Sequence, residues 1–160
     1  MIYFILLGFI LIALFIGLLL PKERIATSEA FYKASPEEVY KVVTNNDDYA
    51  YRSDLKELII LERNGDFEVW DEIAKNGNKI RFRTARKEPF SRYDMEMESK
   101  IFTGYWIGEF REMPNGGTHF ITTEKITMPN PIYRIMNYTF FSLKTFMDVY
   151  KNDVRKKLGE

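Results

Sequence analysis

The spacing of apolar residues changes three times along this chain. Residues 1 to 20, MIYFILLGFILIALFIGLLL, are apolar without interruption and carry no charged side chain. A helix of about 20 residues at about 1.5 Å each matches the roughly 30 Å hydrocarbon layer of a bilayer, so the run predicts a transmembrane helix. From Arg24 to Met128 the pattern becomes strand-like, broken by the turn signals Asn64-Gly65, Asn76-Gly77-Asn78, Glu88-Pro89 and Pro114-Asn115-Gly116-Gly117. Turns that close together predict an antiparallel meander. One helix interrupts it early: Ser35 as N-cap, Pro36 at the first position and Glu38 three residues past the cap form a capping box, and Asn45-Asn46-Asp47-Asp48 stop the helix. After Pro129-Asn130-Pro131 the period returns to helical. Ile132, Ile135, Met136, Thr139, Leu143, Phe146, Met147, Tyr150 and Val154 mark one helix reaching about Leu158.

One hairpin can be placed in register from charge alone. With Glu88-Pro89 as a two-residue loop, Lys79, Arg81 and Arg83 oppose Glu98, Glu96 and Asp94, while Ile80, Phe82 and Thr84 oppose Met97, Met95 and Tyr93. The basic run KIRFRTARK then meets an acidic neighbour within its own sheet and is not a nucleic-acid strip. The formal net charge of zero fits that reading, because no global field recruits a polyanion. Lys22 and Arg24 follow the apolar run, and that bias predicts a single-pass protein whose domain faces the cytoplasm. The absence of cysteine removes disulfides and thiolate chemistry and fits a reducing compartment.

The residues also carry a resemblance. ASPEEVYKVVTNNDDYAYRSDLKEL, residues 34 to 58, and GYWIGEFREMPNGGTHFITTEKITMPNPIYRIMNYTFF, residues 104 to 141, resemble the START-like or SRPBCC superfamily, in particular its polyketide cyclase/dehydrase-like branch. The resemblance covers residues 24 to 158 and departs from the family at Tyr51, where Trp is frequent. It implies an α+β helix-grip fold, in which a curved antiparallel sheet of about seven strands holds the long C-terminal helix and two short helices close one end. Residues 1–21 would then be a transmembrane anchor, and residues 22–160 the domain. It implies a hydrophobic cavity between sheet and long helix. Tyr51 and Arg52 would sit at its mouth, and Phe82, Tyr93, Met95, Met97, Trp106, Phe120, Thr122, Met136 and Leu143 would line it.

Little catalytic machinery is visible. His119 is the only histidine and follows a Gly-Gly turn, so no histidine metal cluster or Ser-His pair can form, and no metal or cofactor is expected. Two carboxylates stand out by alternation. Glu124 shares a face with Phe120, Thr122 and Ile126, and Asp71 shares one with Phe67, Val69 and Ile73. A carboxyl turned into an apolar cavity has a raised pKa and can move protons or orient a ligand; the other reading is a strand end open to water or paired with Arg86. The leading expectation is a membrane-anchored, non-catalytic binding domain for a lipid or other hydrophobic small molecule, tethered to the bilayer through residues 1–20, with no nucleic-acid partner. The alternatives are a cyclase or aromatase using a cavity carboxylate or Tyr, and a protein-interaction module whose interior is filled.

Overall fold

A computed structural model describes residues 2–160, apart from the side chains of residues 2, 5–7, 9, 10 and 13. The elements run α1 (Ile2–Leu19), β1 (Glu23–Tyr32), α2 (Pro36–Thr44), β2 (Leu55–Asn64), β3 (Phe67–Ala74), β4 (Lys79–Glu88), β5 (Arg92–Glu98), β6 (Thr103–Glu112), β7 (Thr118–Thr127), α3 (Pro131–Phe140) and α4 (Leu143–Lys157). All seven strands form one antiparallel sheet in the order β1-β7-β6-β5-β4-β3-β2. The meander closes on itself in sequence terms, because β1 returns to the edge beside β7. One face of this sheet packs on α2 and α4, and its core joins Tyr32, Val39, Tyr40, Trp70, Phe82, Tyr93, Trp106, Phe110, Phe120 and Val154. This is the α+β helix-grip architecture, with about seven strands as expected.

The first helix of the domain starts as its sequence dictates. Ser35 Oγ accepts from the Glu38 amide, and the Glu38 carboxylate accepts from the Ser35 amide at 2.8 Å. No second short helix follows: residues 45–54 are turns, closed by Arg52 N–H to Tyr49 C=O at 2.9 Å. Nor is the C-terminal helix continuous. Ser142 leaves the helical region, and its hydroxyl accepts from the Thr145 amide, so a fresh N-cap starts α4 and splits the expected single helix in two. Only α4 lies in the grip; α3 packs against α1.

The β4–β5 register also differs from the charge-based expectation. Pro89, Phe90 and Ser91 form a three-residue connection, with Phe90 at φ 60 and Ser91 N–H donating to Glu88 C=O at 3.2 Å. A bulge between Thr84 and Arg86 takes up the extra residue, and Arg81 stands opposite Glu98, Arg83 opposite Glu96, and Phe82 opposite Met97. The pairing moves by two residues. Each side chain therefore keeps its face, and basic residues still meet acidic ones.

The expectation of a single-pass membrane protein is corrected. Among the described residues, no helix is long and apolar enough to cross a membrane. Met1, the first residue of the expected span, lies outside those residues. One flank of α1 is also committed to α3: a Cβ on Gly17 would collide with the Pro131 backbone, so glycine is what lets the two helices approach. The placement of the domain in the cytoplasm rested on that span and is corrected with it.

Candidate functional site

The interior face of β7 carries Thr118, Phe120, Thr122, Glu124 and Ile126, all buried, as strict alternation requires. In register, Glu124 lies between Ala26 of β1 and Trp106 of β6. It is 6% exposed and has no hydrogen-bond or ion-pair partner among the described residues. Burial therefore pushes its carboxyl up to about 7, and the nearby Lys151 ammonium only partly opposes the shift. Lys151, 3% exposed on α4, is pushed down to about 8 by its own burial, with Asp148 working the other way. Its Nζ donates to Thr122 Oγ1 and lies 5.8 Å from the Phe120 ring centre.

Neighbouring polar groups hold Lys151 in place. Thr122 Oγ1 donates to the Ser28 carbonyl at 3.3 Å, the Ser28 hydroxyl donates to Asp148, and Lys144 donates to Asp148 at 2.7 Å. Tyr32 OH donates to the Lys151 carbonyl at 2.9 Å, which pins that turn of α4 to β1. The result is a carboxyl and an amine that both change charge near neutral pH, facing an indole in an apolar interior. Such a pair can take a proton from one atom of a bound molecule and return it to another.

Asp71, the other carboxylate singled out by alternation, is placed on the opposite face of the sheet. Arg81 Nε donates to it at 2.8 Å, and Lys79 closes from the same side, so its carboxyl is held below the usual range. The interior positions of β3 are Glu68, Trp70 and Glu72. Glu68 accepts from Asn46 at 2.7 Å, and Glu72 accepts from Arg52 and from Trp70 Nε1 at 3.2 Å.

Of the residues expected to line a cavity, Phe82, Tyr93, Met97, Trp106, Phe120, Thr122 and Leu143 are buried inside the grip, and Met95 and Tyr51 pack against its core. Arg52 lies at the end near α2, 4.6 Å over the Tyr150 ring, with Glu72 and Asp54 keeping it charged against the cost of burial. Tyr51 OH is pushed up to about 12, chiefly by burial. Met136 is the exception: it lies on α3, 53% exposed, away from the grip.

At two points these side chains lie directly against glycine. Trp106 folds its indole across Gly108, where a Cβ would overlap the ring, and Met97 lays its methyl against Gly104 in the same way. A depression of about 300 Å³ is lined by Arg81, Phe82, Arg83, Glu96, Met97, Glu98, Thr103, Gly104 and Tyr105. Its charged members Arg81, Arg83, Glu96 and Glu98 are exposed and alternate with the buried Phe82 and Met97, so its polar wall belongs to the outer face of the sheet. His119 also faces outward, stacked on Phe31 at 4.5 Å and 2.8 Å from Glu29.

Sequence reasoning missed Lys151, Ser28 and Asp148. Lys151 sits four residues after Met147 and three before Val154, on the stripe that α4 buries, and that spacing was the available signal.

No family model matches the sequence, and no curated protein is similar to it at the level of sequence. Solved structures do resemble it. The Zhui aromatase/cyclase from a Streptomyces species has a TM-score of 0.71 at 15% identity, over 84% of this chain and 93% of that one. The di-domain ARO/CYC BexL has a TM-score of 0.70 at 12% identity, over 88% of this chain; the present chain spans about half of BexL, 52%. Norcoclaurine synthase from Thalictrum flavum, in truncated form, has a TM-score of 0.68 at 8% identity, over 85% of this chain and 93% of that one. Identities this low establish the fold alone: the chain has a START/SRPBCC-like fold of the kind seen in aromatase/cyclases and norcoclaurine synthase.

Proposed function

We propose that the domain is a cyclase-like enzyme acting on a hydrophobic, carbonyl-bearing small molecule held between the sheet and α4. The observation that carries this reading is the presence of Glu124 and Lys151, both buried and close enough to feel each other's charge, inside the grip. Two buried ionisable groups with pKa values displaced toward one another cost stability, and acid–base chemistry gives such an arrangement a use. Glu124, ionised, removes a proton from a carbon flanked by carbonyls; Lys151, protonated, donates to the oxygen on which negative charge develops. The similarity of fold to Zhui and BexL supports the same substrate chemistry.

Room for the substrate comes from side chains that rest on glycine. The Trp106 indole over Gly108 and the Met97 methyl over Gly104 occupy the floor beside Glu124, and a planar ligand takes the place of the indole. Methionine adapts to such a guest at low cost.

The test is proton exchange. A 1,3-dicarbonyl probe in deuterated buffer, followed by NMR, should exchange its central hydrogens faster with the protein than without. The rate should rise as Glu124 ionises through about 7 and fall as Lys151 loses its proton through about 8. Glu124→Gln should abolish the acceleration. Binding of the probe without acceleration would favour the non-catalytic reading, in which the Met- and aromatic-rich interior simply holds a hydrophobic molecule. Absence of both would leave a filled interior and an interaction module.

A further inference from the structure

A second charged cluster lies outside the grip, where α1 ends and α3 begins. Arg134 is 3% exposed on α3. Its Nη1 donates to the Leu20 carbonyl at 2.8 Å and its Nη2 to the Pro129 carbonyl at 3.2 Å, while its buried Nε–H has no acceptor. Arg24 of β1 points into the same niche. Its Nη1 donates to the Asn137 carbonyl at 2.8 Å, to Asn137 Oδ1 and to the Phe141 carbonyl at 3.2 Å, and its guanidinium lies 4.5 Å over the Tyr138 ring. Lys22 lines the niche as well.

Every acceptor in this cluster is a neutral oxygen. Among the described residues no Asp or Glu lines it, and Glu23, the nearest carboxylate in sequence, is turned away to Lys125 at 2.9 Å. Carbonyl oxygens at the ends of α1 and α3 satisfy hydrogen bonds and offer partial negative charge, but they do not neutralise a fixed cation. A buried guanidinium with an unused donor and no counter-charge is costly, and pairing with an anion offsets that cost. From these observations we infer that the junction of α1, α3 and β1 is a binding site for a phosphate-type oxyanion. The niche is too narrow for a water molecule while Arg24 clasps Asn137. The oxyanion therefore replaces Asn137 Oδ1 as the acceptor of Arg24 and takes the free Nε–H of Arg134, with Lys22 at the rim.

Two sources share this chemistry, free phosphate and the headgroup of a phosphate-bearing amphiphile. The full chain in a neutral detergent should gain thermal stability from inorganic phosphate but not from chloride at equal ionic strength, and phosphorus-31 lines should broaden on binding. Arg134→Gln should remove the effect. Because that substitution also releases the end of α1, Asn137→Asp is the second arm: it supplies the missing charge internally, so Tm should rise without phosphate and the response to phosphate should vanish. A short-chain phosphatidic acid binding at least tenfold more tightly than phosphate assigns the site to an amphiphile headgroup, and equal affinities assign it to the free ion. Phosphate acting no differently from chloride, or Asn137→Asp lowering Tm while the phosphate response persists, would overturn the proposal. None of these readouts depends on the chemistry proposed for Glu124.

Discussion

Glu124 and Asp71 are both carboxylates on strands, both almost wholly buried at 6% and 2% exposure, yet their protonation is driven in opposite directions. Asp71 receives Arg81 and Lys79, and hydrogen bonding to the charged form wins over the loss of solvent. Glu124 has an indole, an alanine and a lysine that spends its Nζ on Thr122, so the loss of solvent wins. Asp71 is covered at the outer face by its own ion partners, while Glu124 is enclosed by the sheet interior, so donors and depth act in the same direction. The outer-face residue is an element of structure, whereas the inner one is a group that changes charge near neutral pH.

The largest expected effect that tests this contrast is on stability against pH. Glu124 has its carboxyl raised from 4.5 to about 7, so below pH 4.5 folded and unfolded chains are protonated alike and its burial is not penalised. Between 4.5 and about 7 the unfolded chain gives up a proton that the folded chain keeps, and stability falls as pH rises. Glu124→Gln removes that fall. Urea unfolding should show the variant more stable than the parent by about 3 kcal/mol at pH 9, at about 1.4 kcal/mol per pH unit, and equal to it near pH 4. A difference that does not vary with pH would mean that Glu124 finds a partner in solution.

Asp71 should behave with the opposite sign, and more weakly, since its partners are half exposed. Its stabilisation is present above the usual carboxylate range and lost as pH falls through its lowered value. Replacing both donors, with Arg81→Met and Lys79→Met, should let burial dominate and raise the Asp71 pKa, read from its carbon-13 shift on titration. If the pKa stays low, the contrast with Glu124 has some cause other than donors.

The smallest effect concerns the strand pairing beneath Asp71. Arg83 faces Glu96, and an exposed cross-strand pair contributes about 0.2 to 1 kcal/mol. A double-mutant cycle on Arg83 and Glu96 should find that coupling. Coupling of Arg81 with Glu96 instead would restore the register expected from charge alone.

Much of the fold was legible because local rules and tertiary needs agree there. The capping box at Ser35 and the inward set on β7 follow from cap chemistry and strict alternation, which put Glu124 on the buried face with Phe120, Thr122 and Ile126. β3 misled because its outer face carries Phe67, Val69 and Ile73, while its inner face carries Glu68 and Glu72 around Trp70. Those inner carboxylates are tolerable only because Asn46 and Arg52, about 20 residues away, and Arg63, across the β2–β3 turn, supply donors. The break at Ser142 was hidden for another reason. Apolar spacing continues across it, and nothing in a periodicity reveals that one hydroxyl will cap a new helix. Lys151 was not singled out, although its position on the α4 stripe placed it inside.

The chain also carries its own optical reporters. Its two tryptophans are both interior: Trp70 is stacked on Phe82 at 5.5 Å, and Trp106 meets Tyr93 edge-on at 6.2 Å while lying across Gly108. Neither sits on α1, α3 or the outer face. Tryptophan emission, excited beyond the tyrosine band, therefore reports the interior of the grip and is blind to its exterior. Trp70 marks the end near Arg52 and Trp106 the end near Glu124, so replacing each in turn by Phe would separate light from the two halves of the same enclosed space.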